Sequence, residues 1–134
     1  MDYETFDHTA DLGVRVFGKT REALYANAAK AMFDLIADIK TIRPVGELEV
    51  EVFGQDDVSL MVNWLSELLV VHEVEGFLLS EFDVKLEGHT LRATVRGEPL
   101  DRDRHELRRN IKAVSYHKLL VNSEEGFVQV IFDI

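Results

Sequence analysis

The chain has 134 residues, 46% of them hydrophobic and 30% charged, with a formal net charge of −10 and no cysteine. That length suits a single domain spanning residues 1–134 with a sizeable buried core. The acidity argues against a protein that wraps nucleic acid unaided, and the missing cysteine removes disulfides, thiolate nucleophiles and zinc–sulfur sites.

In chain order, "YETFDHT" and "GVRVFG" alternate as two short strands. From Thr20, a candidate N-cap, "TREALYANAAKAMFDLIADI" places Leu24, Ala28, Ala31, Met32 and Leu35 on one helical face. "RPVG" at 43–46 breaks the chain. "ELEVEVFG" then sets Leu48, Val50 and Val52 against Glu47, Glu49 and Glu51, the pattern of a half-buried strand. Asp56 or Asp57 caps a second helix, whose stripe is Leu60, Met61, Trp64, Leu65, Leu68 and His72 and whose stop is Gly76. A hairpin follows, "FDVKLEGHTLRATVRG", turning at Gly88-His89.

Residues 104–116 fit either a helical face (Leu107, Ile111, Val114) or a strand, and the β-branched content after Ile111 favours strand. The closing "GFVQVIFDI" is apolar on both sides and belongs inside a sheet. These elements predict an α+β domain with one mixed β-sheet covered on one face by two long helices. The longest apolar runs are too short to span a bilayer. The opening "MDYETFDHTA" also lacks the basic-then-apolar order of a signal peptide, so a cytoplasmic protein without membrane contact is expected.

Familiar catalytic templates are missing: no GxxxxGK[ST] or GxGxxG loop, no HExxH, no EF-hand loop, and no nucleophile elbow around any serine. "FDHTADLG" at 6–13 concentrates Asp7, His8 and Asp11 within five positions. Two readings apply: an Asx-turn pair at a strand-to-strand bend, or oxygen donors for a hard cation. Asp133 and the carboxylate of Ile134 supply further oxygens at the other end of the chain. Such donors suit Ca²⁺, Mg²⁺ or Mn²⁺, whereas His8 alone is a thin basis for zinc.

His72 and Trp64 read as core, and Glu67 either as a surface acid or as a group that orients a basic partner. Lys112 and His117 would point to opposite faces of an unbroken strand. Residues 101–118 hold four Arg and two Lys against two Asp and one Glu, a surplus of three positive charges on an acidic protein. Such a stripe suits a protein partner better than naked RNA.

Four stretches, "DHTADLG" at 7–13, "NWLSELL" at 63–69, "IKAVSYH" at 111–117 and "VIFDI" at 130–134, together resemble the archease family over essentially the whole chain. Leu12 stands where Ile is more usual in that family, and Ser115 where Thr is. The resemblance implies a non-catalytic accessory protein that activates an RtcB-type RNA-splicing ligase in tRNA splicing. It would promote the ligase's guanylylation and multiple turnover and broaden its nucleotide use. The ligase would carry the manganese, guanylate and RNA chemistry, so tRNA would be met only through it. The resemblance also implies a bound divalent cation, commonly calcium, held by Asp11, Asp133 and Ile134. Asp7 and His8 would shape that site, and Lys112 matches a position associated with activity. A small metal-binding chaperone of nucleic-acid-modifying enzymes is the alternative, and a metal-assisted hydrolase would need a concave pocket with an open coordination position.

Overall fold

The computed structural model describes residues 3–7 and 11–134. Its elements in order are β1 (Tyr3–Asp7), β2 (Asp11–Phe17), α1 (Arg21–Ile36), a 3-10 turn (Ile39–Thr41), β3 (Gly46–Phe53), α2 (Asp57–Glu75), β4 (Phe77–Glu87), β5 (Thr90–Pro99), β6 (Ala113–Asn122) and β7 (Phe127–Asp133). The α+β class and both long helices agree with the sequence reading. The single mixed sheet does not. The strands form two separate sheets, ordered β1-β2-β7-β6 and β3-β5-β4, and every neighbouring pair is antiparallel. Short connections at β4–β5 and β6–β7 force antiparallel neighbours, because a parallel pair needs a long crossover.

Both helices begin and end where their local chemistry dictates. The Thr20 hydroxyl accepts from the Ala23 N–H at 3.0 Å. Asp56 and Ser59 form a reciprocal capping box, with the Asp56 carboxylate accepting from the Ser59 N–H at 2.8 Å. Gly76 ends α2 at φ +69°, a left-handed conformation that costs glycine nothing. Each helix packs against strands of both sheets. One core results, in which Leu24, Met32 and Phe33 of α1 and Leu60, Trp64 and Leu65 of α2 are wholly buried. The Trp64 indole N–H donates to the Tyr25 carbonyl at 2.9 Å, so burying its polar end leaves no orphan donor. His72 is half-buried: Nδ1 lies 2.8 Å from the Phe77 carbonyl and the ring meets Phe33 edge-on.

β7 sits between β2 and β6, and buries Val128, Val130 and Phe132 on one face and Ile131 on the other, as its two-sided apolarity predicts. On the three-stranded sheet, Glu47 and Glu51 lie directly opposite Arg96 and Arg92 and pair with them, a solvated face laced by surface ion pairs. Two features of the last third escaped the sequence reading. Residues 101–112 form neither helix nor strand beyond an isolated bridge from Leu107 to Ala37. β6 is then interrupted between Ser115 and Leu120 by a bulge that includes Lys118 at φ 57°. Lys112 precedes the strand and His117 rides the bulge, so the alternation expected of an unbroken strand does not relate them.

Candidate functional site

The two ends of the chain meet in the four-stranded sheet. Asp11, the first residue of β2, lies directly across from Asp133, the last residue of β7. Asp133 in turn lies across from Ala113, which opens β6, and the Lys112 N–H donates to the Asp133 carbonyl at 2.8 Å. Three strand ends thus bring Asp11, Asp133, Ile134 and Lys112 to one end of the sheet. Asp7 closes β1 opposite Leu12, one register position from Asp11. His8 lies outside the described residues.

Directly opposed residues of an antiparallel pair project from the same face with Cβ atoms about 4.5–5.5 Å apart. The Asp11 and Asp133 carboxylates therefore share a face, where two like charges repel. Among the described residues neither carboxylate forms a salt bridge. Asp133 is exposed and Asp11 half-buried, so both reach solvent.

Gly13, two residues beyond Asp11 on the same strand, has a specific reason to be glycine. A Cβ there would come within 2.1 Å of the Phe6 ring, which rests on the backbone across the β1–β2 pair. The glycine lets that ring close over the strand beside the acids.

No group of three or more His, Cys, Asp or Glu suited to a metal occurs among the described residues. A cation here would draw on two side-chain carboxylates, with carbonyls and water completing a hard-cation shell of about six to eight oxygens. The donor set fits Ca²⁺ or Mg²⁺ by chemistry, since it is all oxygen and anionic.

The basic stripe read from the sequence proves smaller than its charge count. Arg104 pairs with Glu98, and Arg108 reaches Asp34 and Asp38 at 3.7 and 3.6 Å. Glu98 is the hub that holds the irregular 101–112 segment to the body. Its Oε2 accepts from the Arg43 N–H at 2.6 Å and from His105 Nε2 at 2.9 Å. Burial pushes the Glu98 carboxyl up, but those hydrogen bonds and Arg104 outweigh it and hold the group at about 2. His105, buried to 3% exposure, accepts at Nδ1 from the Asp101 N–H at 3.0 Å, which places its ring proton on Nε2 toward Glu98. Charge counting alone gives no sign of this anchoring. Its one sequence signal was a histidine among the charges. Arg102, Arg109 and Lys112 remain without an ion pair among the described residues.

Comparison with known proteins gives the chain's relatives. Residues 3–134 match the archease protein family (MTH1598/TM1083). The chain is 45% identical to protein archease of Methanopyrus kandleri over 130 residues, covering 94% of this chain and 93% of that protein. It is 39% identical to protein archease of Pyrococcus abyssi over 123 residues, covering 89% and 87%. The solution structure of Methanobacterium thermoautotrophicum protein 1598 superposes with a TM-score of 0.85 at 37% identity, covering 98% of both chains.

Proposed function

Because this chain belongs to the archease family, we propose that it is a non-catalytic accessory protein that activates an RtcB-type RNA-splicing ligase in tRNA splicing. The observation that carries this reading to particular residues is the register of Asp11 with Asp133 at the end of β7. In this reading a divalent cation, Ca²⁺ foremost, is held by the Asp11 and Asp133 carboxylates and the carboxylate of Ile134. The bound cation neutralises the opposed carboxylates and fixes the strand ends. Asp7 and His8 shape the surroundings of the site. Lys112, tied to Asp133 through its own backbone N–H, offers an ammonium beside an acidic cluster, an arrangement suited to a partner surface of mixed charge. Contact with tRNA passes through the ligase, in keeping with a net charge of −10.

The test is the rate at which purified ligase forms its covalent guanylate adduct, with and without this protein. Acceleration by the wild-type chain that Asp11→Asn weakens supports the reading. An unchanged rate at saturating protein removes it. A small metal-binding chaperone of nucleic-acid-modifying enzymes is the second reading, favoured by the exposure of Phe53, Val74 and Tyr116. It predicts suppressed aggregation of unrelated clients without any effect on guanylylation.

A further inference from the structure

α2 turns an unexpected face to solvent. A helix whose inner side buries Trp64, Leu65 and Leu68 ordinarily presents a polar outer row. Here the outer row is Asn63, Glu67, Val70 and Val74, one ridge of the helix, with Val70 49% and Val74 78% exposed. Beside that ridge Phe53, at the end of edge strand β3, is 61% exposed. Between them runs a groove of about 350 Å³, and the Asn63 side-chain amide donates to the Phe53 carbonyl at 2.7 Å. Beyond Asn63 a second hollow of about 500 Å³ continues to Tyr116, which is 58% exposed on the β6 bulge.

Charge selects the occupant. Neither β3 nor α2 contains a Lys or Arg. Glu67 is the groove's one ionisable group, and it has no ion pair among the described residues. On the neighbouring strand β5, Arg92 and Arg96 are engaged by Glu51 and Glu47. An acidic side chain standing between apolar neighbours is complementary to a cation flanked by apolar groups.

We infer that this groove docks an amphipathic helix of a partner protein, one that presents two apolar side chains flanking a Lys or Arg. The ridge from Asn63 to Val74 rises about 16 Å, which matches about three turns of a partner helix laid along it. A second copy of the chain packed face to face would set Glu67 against its own like charge, with a net charge of −10 on each side. The inference stands apart from the ligase reading, since the groove uses none of Asp11, Lys112, Asp133 or Ile134.

The experiment titrates the isotopically labelled full chain with a synthetic amphipathic helix carrying leucines on either side of a lysine. The same peptide with glutamate in place of lysine is the control. Saturable amide shifts centred on Phe53, Glu67 and Val70 are expected with the cationic peptide and not with the anionic one. Glu67→Lys, an exposed substitution compatible with folding, should weaken binding about tenfold, and Val70→Asp should weaken it as well. Absence of saturable shifts, shifts centred elsewhere, equal binding by Glu67→Lys, or a dimer that occupies the groove would each overturn the inference.

Discussion

Asp11 and Asp133, from opposite ends of the sequence, stand directly opposite each other across β2 and β7. Neither has a salt-bridge partner among the described residues. Opposed like charges destabilise a strand pair by several tenths of a kcal/mol, and a divalent cation between them reverses that sign. In the account proposed here the cation holds together β2 and β7, the two central strands of the sheet.

Asp11→Asn preserves size and hydrogen bonding while removing one anionic oxygen. The fold should survive, Ca²⁺ affinity should fall about tenfold or more, equivalent to about 1.4 kcal/mol, and ligase stimulation should fall with it. Calorimetry paired with a ligation assay reads both quantities. Full stimulation by a variant that no longer binds cation would separate the metal from function.

In the proposed site the carboxylate of Ile134 is a ligand, and extending the chain beyond it converts that group to a neutral peptide carbonyl. A C-terminal tag should therefore weaken Ca²⁺ binding and ligase activation, whereas a tag before Met1 should be better tolerated. A calcium titration of the two tagged proteins decides the matter. Identical affinities would remove Ile134 from the ligand set and leave Asp133 acting with the opening motif.

Lys112→Glu should reduce ligase activation more than Lys30→Glu on α1, although each changes the charge by the same amount. Lys112 is bonded through its backbone to Asp133, while Lys30 lines a groove beside Asp34 and Phe82, away from the strand ends. Activation measured across a range of salt concentrations distinguishes a docking contact from general electrostatics. Equal losses would indicate the latter.

Glu98 makes a prediction about acid stability. Its carboxyl is held at about 2 in the fold, against about 4.3 in an unfolded chain. A depressed carboxyl stabilises fully above its unfolded value and ceases to do so as pH falls through its folded value. Glu98→Gln should thus be less stable than wild type by roughly 2–3 kcal/mol at neutral pH. The gap should narrow as pH falls from about 5 towards 2. Urea denaturation of both proteins across that range measures the gap, and a constant difference would place the stabilisation elsewhere than in the carboxylate.

How much of this was legible in the sequence follows from which signals are local. The second helix could be read outright, because Asp56, the Trp64–Leu65–Leu68 stripe and Gly76 state its start, its face and its end. The burial of β7 on both faces could also be read, from its unbroken apolarity. Strand partnership could not. Alternation says which side of β3 is buried but not that β5 lies beside it, so it cannot separate two antiparallel sheets from the one mixed sheet it predicts. The β6 bulge leaves no mark in composition, and it redirects Tyr116 and His117.

The candidate site was legible only through family resemblance. Asp11 by itself fits a turn as well as a ligand, and its pairing with Asp133 is a property of sheet register. The basic stripe was misjudged for a related reason. A charge count includes Arg104 and Arg108, although Glu98, Asp34 and Asp38 already engage them.

Multiple-turnover RNA ligation tests the central proposal most directly, with the RtcB-type ligase limiting and ligated product counted per ligase molecule. With this protein and Ca²⁺ present, product should rise well beyond one equivalent per ligase, and with Asp11→Asn it should return towards the level of ligase alone. Product that stays at the ligase-alone level with the wild-type chain would contradict the account.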